Sequence, residues 1–596
     1  LKLWEPFVSL ANFNSPSSCC EVMARRLSLS LAIFFLSVPT PCLTTRGDQK
    51  EECAADETQV AVTRHGQQAM LSPSSGDHAT ESLSPKVWTL TSKSWPRLPA
   101  PEALQVSDGI QRTGFFLQDV MQKKQGDWSR AQKAARDIRN ASYKLQEFYE
   151  DCVAAFPELA LYVTDRDSQA TTSSGRSTDD EYQRTLGALF AVYWLMRLDL
   201  DGMQSFCFGV DNEWNLLSED SVNPAMTPVR QEFLDNAEWG KFGDLFVEAG
   251  ILRKQGDSVE HDEARTLAMI VLTVIHDIMK LNALVPVLEE KHAPFRGYKV
   301  GDSISDHDAA LAYILQYHPD ILPSFKALSD TQKETLIFTQ MDFNMGHFVQ
   351  AEGPPGAVLK HFKSMIATTG NKQKEDIAFY FVHWVTDLAG AVPNPLGGSE
   401  MFVLRFKSNV VLRFFNSFPF LDQLRAKSET EVYEKYLQWR WDQASAESAP
   451  TGKGSIARMR LCLMAPDDCP KVDLAYKSLD ESVSDKLAEE LSYTGRAGQH
   501  FQSEPRPDTG PAILVYYGPK LMTIAGATDP QGALRVLADV FRQARSLFPL
   551  QESSADESVT VNIAALMKLQ VAEIDAETWA VEKNSDSYAE VKFKPR

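Results

Sequence analysis

Histidine and acidic residues are concentrated in the middle of this 596-residue sequence. Eight of the eleven histidines lie between positions 261 and 383, and four of these have an aspartate beside them or one helical turn away. Imidazole and carboxylate groups together are the ligands of divalent metals such as iron, manganese, zinc and magnesium. This part of the chain is therefore predicted to hold a metal site.

The adjacent residues His276 and Asp277 are the first candidates for metal ligands. They follow the apolar run "LAMIVLTVI", and Lys280 stands three positions after the aspartate. Neighbouring side chains on a helix point about 100° apart, so both reach one metal, or two adjacent metals, only where the helix faces a cavity. A structural hydrogen-bonded pair is the alternative, because a buried charge needs a partner in any case.

The segment "VIHDIMK" resembles the signature of the HD superfamily of metal-dependent phosphohydrolases, in which a His-Asp doublet ends an apolar helix. In that family a later aspartate on another helix completes the site, and Asp387 in "FYFVHWVTDLAGAV" has a suitable context. Members with two metals use further histidines, for which His307 and His347 are candidates. His361 is a weaker one, since "KHFK" is typical of an exposed basic turn. The resemblance covers about residues 230–400.

The resemblance implies a metal-dependent hydrolase of a small phosphoester or nucleotide. One or two ions of manganese, iron, magnesium or zinc would be held by His276, Asp277, His307, His347 and Asp387. The metal would activate a water molecule for attack on phosphorus. Lys280 would neutralise phosphate charge, and Asp277 or a spare histidine would accept a proton.

The sequence departs from the family pattern at the first metal ligand, which is normally a histidine on the helix before the doublet. His261 is the only upstream histidine nearby, and in one continuous helix it would lie about 22 Å from His276. A chain break near Glu263, replacement by Asp244 or Glu248, and absence of the ligand all remain open.

Two other functions fit the same residues. The ligand pattern also resembles that of the mixed-valent diiron oxygenases related to inositol oxygenase. The missing upstream histidine instead favours a non-catalytic HD-like protein that serves as a binding scaffold.

The elements that would position these residues predict a mainly α fold. Apolar residues recur every three or four positions through 108–448, which indicates an all-helical, HD-like domain. The uncharged stretch in "YQRTLGALFAVYWLMRLDL" predicts a buried core helix, too short to span a bilayer comfortably. Residues 456–596 are expected to form a small α+β module. Its predicted strands are "ARMRLCLMA" and two in "PAILVYYGPKLMTIAGA" that meet at Gly518-Pro519, and "PQGALRVLADVFRQARSLF" is its amphipathic helix.

The amino-terminal region predicts targeting rather than fold. Residues 1–46 contain two arginines before a short apolar run, which is typical of a signal peptide and indicates entry into the secretory pathway. A signal anchor and the first half of an organelle-targeting leader remain open. Residues 47–107 have the composition of a disordered linker.

Composition and cysteine content limit the partners. The net charge of −20 and the lack of a basic cluster argue against nucleic acid as a partner. A small phosphorylated substrate is expected, and the sequence does not indicate an oligomeric state. Cys462 and Cys469 are either ordinary thiols or a disulfide across a short loop.

Overall fold

The computed structural model describes most of the chain beyond residue 115. The described residues are 97–99, 116–121, 126–163, 172–217, 226–256, 258–340, 343, 345–368, 373–405, 408–569 and 571–594. The predicted leader and most of the predicted linker lie outside them. Among these residues, none of the helices combines the length and the apolar character needed to cross a membrane.

The prediction of a mainly α fold is confirmed. The α-helices are α1 (Phe116–Met121), α2 (Trp128–Asp137), α3 (Leu145–Ala155), α4 (Thr178–Leu195), α5 (Gly202–Phe208), α6 (Thr227–Asn236), α7 (Trp239–Glu248), α8 (Glu263–Ile275), α9 (His307–Tyr317), α10 (Pro323–Lys326), α11 (Asp330–Thr339), α12 (Met345–Val349), α13 (Pro355–Thr368), α14 (Gln373–Ala389), α15 (Ser408–Asp422), α16 (Glu429–Ala444), α17 (Ser455–Met464), α18 (Cys469–Lys477), α19 (Glu481–Leu491), α20 (Gly518–Lys520) and α21 (Pro530–Leu547).

The strands form two small sheets in the described part of the chain. They are β1 (Leu252–Gln255), β2 (Ser258–His261), β3 (Ala512–Tyr516), β4 (Ser558–Asn562), β5 (Trp579–Lys583) and β6 (Tyr588–Phe593). The first two form an antiparallel hairpin just before α8. The other four form a sheet in the order β3-β4-β6-β5, in which β3, β4 and β6 are parallel and β5 is antiparallel to β6.

Three helices meet at the centre of the molecule and carry the candidate site. Helix α4 begins after Ser177, whose side chain accepts a hydrogen bond from the Asp180 amide, and it is buried from Glu181 to its end. It packs against α8 and α14. The prediction of a buried core helix over this stretch is therefore correct.

The carboxy-terminal region begins with helices, and two of its predicted strands were wrong. The segment "ARMRLCLMA" lies in α17, and the residues after Gly518 form α20 and a π-helical turn (Leu521–Ala525). The α17 helix is stabilised by Arg460, whose buried guanidinium donates to the carbonyl oxygens of Ala351, Glu352 and Leu491. The strand β3 and the amphipathic helix α21 agree with the prediction.

The carboxy-terminal region packs directly on the helices before it. Helix α17 contacts α16 across the predicted boundary, and α13 contacts β3 and β4. The Glu352 carboxylate accepts a hydrogen bond from the Tyr517 amide at 2.7 Å. Cys462 and Cys469 are buried, unpaired thiols.

Part of the predicted linker is ordered. The backbone of Leu98 exchanges two hydrogen bonds with the Gln183 side chain on α4, and Arg97 pairs with Asp179 and Asp180. Leu98 is buried. This short segment therefore belongs to the folded part of the chain, because it covers the beginning of the central helix.

The close approach of α4 and α14 depends on two glycines. A Cβ atom at Gly390 would lie 2.2 Å from the Ala188 nitrogen and 2.6 Å from the Arg184 oxygen, and Gly187 faces Gly390 from the other helix. We expect Gly390→Ala to reduce the free energy of unfolding by about 1–3 kcal/mol, because neither backbone can yield easily. Urea unfolding measures this.

Gly240→Ala is the matched control, since Gly240 lies on the exposed side of α7 and a Cβ atom there meets nothing within 4 Å. This variant is expected to be neutral or more stable by up to about 1 kcal/mol. Equal stability of the two variants would contradict the packing described here.

Candidate metal centre

The His-Asp doublet lies at the carboxy-terminal end of α8. The Asp262 side chain accepts a hydrogen bond from the Arg265 amide and caps the start of the helix. The apolar run is buried from Leu267 to Ile275, so the helix delivers His276 and Asp277 into the interior. Both side chains are almost fully buried, at 7% and 2% exposure.

One nitrogen of His276 is fixed by the backbone. Its Nδ1 lies 2.6 Å from the Thr273 carbonyl oxygen, which can only accept, so Nδ1 carries the proton. In the neutral imidazole the lone pair is therefore on Nε2. This is the arrangement of metal-binding histidines, which donate the other ring N–H to a carbonyl or carboxylate.

The Nε2 atom of His276 faces two carboxylates. It lies 2.8 Å from Asp387 Oδ1, on α14, and 3.4 Å from Asp277 Oδ2. One ligand atom from each of the three residues lies within 4.8 Å of the other two. The structure thus brings together the three residues that the sequence predicted as the first ligands.

The electrostatics of this group are dominated by burial and by opposite charges. Burial lowers the pKa of His276, but the charges of Asp277 and Asp387 outweigh it and leave this pKa raised. Burial raises the pKa of both carboxyls, but the positive charges around them, His276 first and Lys280 among the others, together outweigh it, so that both pKa values lie below the ordinary range. The two carboxylates are anions at neutral pH and attract a cation.

Lys280 reaches the same point from the turn that follows α8. It is 3% exposed, and its Nζ lies 2.5 Å from Asp277 Oδ1 and 3.8 Å from Glu181 Oε2. Lys280, which the sequence proposed for phosphate charge, thus lies beside Asp277, and its interaction with Glu181 was not predicted.

Two charged residues on α4 complete the buried cluster and were missed by the sequence analysis. Arg184 donates from one terminal nitrogen to Glu181 Oε2 at 2.6 Å, while its Nε and its Nη2 make no hydrogen bond to the described residues. Burial lowers the pKa of Arg184, but the negative charges of Glu181, Asp277 and Asp387 outweigh this effect, so the pKa is raised. The available signal was the pair of charges three positions apart on a helix predicted to be buried.

His383 also belongs to the site, one turn before Asp387 on α14. Its ring lies edge-on to that of His276, with centroids 4.9 Å apart. Its Nδ1 is buried without a hydrogen bond. Burial, together with the charge of His276, lowers the pKa of His383 to about 3, so the imidazole is neutral. The hydrogen bond of Asp387 goes to His276 and not to His383.

His307 lies at the edge of the group. Asp306 caps α9 by accepting a hydrogen bond from the Ala309 amide. The His307 Nε2 atom is 4.0 Å from Asp277 Oδ1 and 3.5 Å from Asp308 Oδ1, and the side chain is 26% exposed. His307 therefore lies close to Asp277, on the solvent-exposed side of the group.

The remaining candidates lie elsewhere. His347 pairs with Glu352 and contacts the ring of Tyr516 on β3, outside the group around His276. His361 is exposed, as predicted, but on a helix rather than in a turn.

The alternatives for the first ligand can be compared with the structure. The chain does break before Glu263, but His261 ends β2 and its Nε2 lies 2.9 Å from the Ala135 carbonyl oxygen. Asp244 forms an exposed ion pair with Lys254. Neither residue is part of the group, and His383 is the additional imidazole beside His276.

Comparison with known proteins identifies one match. A family model described as "Family of unknown function (DUF6829)" matches residues 251–573. This range contains α8, α9 and α14 and continues through β3, α21 and β4. No curated protein and no solved structure matches the chain.

Loss of the Asp277 charge would leave Lys280 buried beside a neutral group. We expect Asp277→Asn to reduce the free energy of unfolding by about 3 kcal/mol, because removal of one partner of a buried ion pair leaves an uncompensated charge. Urea unfolding followed by circular dichroism measures the change. Asp244→Asn, which breaks an exposed pair, is expected to cost less than about 1 kcal/mol. Similar losses of unfolding free energy in both variants would show that the Asp277–Lys280 pair contributes no more to stability than an exposed ion pair.

Because His383 is buried and neutral, we expect the stability of the protein to depend on pH. In the unfolded chain this histidine takes up a proton as the pH falls through about 6.5, whereas the folded pKa is lowered to about 3. Its contribution to stability is therefore complete above about pH 6.5 and is lost toward pH 3, with a limiting slope of about 1.4 kcal/mol per pH unit. We expect this slope to be absent in His383→Gln.

Unfolding free energies of wild type and His383→Gln between about pH 7 and pH 5 test the slope. His361→Gln, which changes an exposed histidine, is the matched control and should keep the slope of the wild type. Parallel curves for wild type and His383→Gln would mean that His383 is protonated in the folded protein.

Proposed function

The chain belongs to the DUF6829 family, whose function is unknown, and we propose that it is a metal-dependent hydrolase of small phosphoesters or nucleotides. The observation that carries this proposal is the position of His276 Nε2. Its lone pair faces oxygen atoms of both Asp277 and Asp387 in the protein interior. Such a point requires a cation, either a proton or a metal ion, and nitrogen with carboxylate oxygen suits a divalent metal.

Unsatisfied atoms around this point support a metal. Asp277 Oδ2 and His383 Nδ1 are both buried and lack a hydrogen bond. A buried polar atom without a partner costs about 1–3 kcal/mol. In this proposal His383 supplies the imidazole that the HD superfamily has on the preceding helix, and it does so from the helix that carries Asp387.

The balance of charge supports an anionic substrate. The carboxylates of Glu181, Asp277 and Asp387 face the cations of Lys280 and Arg184, which leaves one negative charge when the imidazoles are neutral. A divalent ion reverses the sign of this sum. The site then attracts a phosphate group, although the whole chain is acidic.

The side chains can be given separate roles in the reaction. A bound divalent ion would lower the pKa of a water molecule and polarise a phosphoryl oxygen. The unpaired Nε and Nη2 atoms of Arg184 would donate to phosphoryl oxygens. Lys280 would add a second positive charge, and His307, at the exposed edge, would take the proton that the water releases.

A second candidate function is a non-catalytic scaffold. It is favoured by the contact between Lys280 Nζ and Asp277 Oδ1, which compensates one carboxylate oxygen without a metal. The two functions differ in whether the purified protein holds a metal.

Metal content and phosphoester hydrolysis test the proposal together. We expect wild-type protein to retain a divalent metal at this site and to hydrolyse bis(p-nitrophenyl) phosphate or a nucleotide. Asp387→Asn should bind the metal at least about tenfold more weakly and lose at least about 100-fold in kcat/KM. The side chain is 21% exposed, so the variant is expected to fold. Metal analysis by mass spectrometry and a spectrophotometric assay give the two results.

Asp244→Asn is the control and should match the wild type in both measurements. Metal content that is equal in wild type and Asp387→Asn would overturn the assignment of the site. Wild-type protein without metal would favour the scaffold, and bound iron with oxygen consumption would favour the oxygenase.

A further inference from the structure

A second group of metal-ligating side chains lies at the other end of α9. It consists of Glu289, His292 and His318, and one ligand atom from each lies within 4.8 Å of the other two. Both histidines are only partly exposed. None of the three residues takes part in the site around His276.

The backbone places the three side chains together from two directions. Glu289 directly precedes a single 3₁₀ turn (Glu290–His292), and His292 is the last residue of this turn. His318 follows the last residue of α9. The Glu289 Oε1 atom lies 3.3 Å from His318 Nε2, while Glu289 Oε2 pairs with Lys291.

Aromatic residues of α9 hold the His292 ring in position. The Tyr313 hydroxyl lies 2.8 Å from His292 Nδ1 and accepts a hydrogen bond from the Glu289 amide at 3.3 Å. The Tyr317 ring stacks on the imidazole, with centroids 4.0 Å apart and an angle of 18° between the planes. An imidazole whose second nitrogen is hydrogen-bonded and whose ring is fixed by packing is prepared for metal binding.

We propose that Glu289, His292 and His318 form a second metal site, which binds a borderline divalent ion and fits zinc best. Two imidazoles and one carboxylate are a known zinc ligand set, whereas magnesium and calcium prefer oxygen ligands. Three protein ligands leave the fourth tetrahedral position to water. The ligand set consists of one carboxylate and two neutral imidazoles, so the site with zinc bound has a net charge of +1.

The consequence of this site is structural. Residues 281–306 connect the two candidate sites and contain only single 3₁₀ turns and isolated bridges. Zinc would fasten this connection to the end of α9. The helix begins with His307 and ends before His318, so the two groups are separated by about 16 Å along its axis. The metals would therefore be too far apart to act on one substrate.

Zinc titration of the full-length protein tests the proposal. The Asp387→Asn variant serves as the background, because it weakens the other site. In this background we expect zinc to bind at the second site, and His318→Gln to lower that affinity at least about tenfold. Cobalt, used in place of zinc, should give the absorption bands of a tetrahedral ion, and these should disappear with His318→Gln. His361→Gln is the matched control and should bind zinc like the background.

Tyr313→Phe is a second test that leaves all three ligands in place. It removes the hydroxyl beside His292 Nδ1 and should weaken zinc binding by about 10-fold or more. Equal zinc affinity in the background, His318→Gln and Tyr313→Phe would overturn the proposal. A failure of the hydrolase proposal would instead appear as unchanged metal binding on Asp387→Asn, so the two outcomes can be distinguished.

Discussion

Charge compensation in a dry interior is the constraint on which the centre of this molecule depends. Glu181, Arg184, Asp277 and Lys280 are each at most 3% exposed. A single ion moved from water into such an environment costs several kcal/mol, and the cost is offset only when opposite charges and hydrogen bonds are well placed. Helix α4 and the turn after α8 must therefore keep a fixed rotation and register relative to each other. The candidate metal centre inherits its rigidity from this network.

The third helix, α14, is positioned by shape as well as by its ion pair with His276. Gly187 and Gly390 allow α4 and α14 to approach until their backbones touch, with about 3 Å between a Cβ atom built at Gly187 and the Gly390 Cα. Side chains one turn away on each helix, including Arg184 and Asp387, are thereby brought to the same point. Close packing at the two glycines thus helps to position the site, because it determines which side chains of the two helices can meet.

Residues whose side-chain type alone suggests metal binding could be predicted from the sequence. Residues that join the site only because their helix turns a particular face toward it could not. His276, Asp277 and Asp387 could be singled out because their types and their apolar surroundings are those of candidate metal ligands. Arg184 and His383 could not, because a single sequence does not show which faces of α4 and α14 turn toward α8. The same limit explains α17: an apolar segment fits a strand or a buried helix equally well. In the structure the segment is a helix, and Arg460 ties it to the carbonyl oxygens of Ala351, Glu352 and Leu491.

The unsatisfied atoms of the cluster bear on whether it is only structural. Within the described part of the chain, Arg184, Asp277 and His383 together carry four buried nitrogen or oxygen atoms without a hydrogen bond. A network whose sole purpose is stability gains by pairing every such atom, since each unpaired one costs about 1–3 kcal/mol. Here the ion pairs fix the side chains while donor and acceptor atoms stay unused. In the proposed function, the donors on Arg184 would bind a phosphate group, and the acceptors on Asp277 and His383 would bind the metal ion.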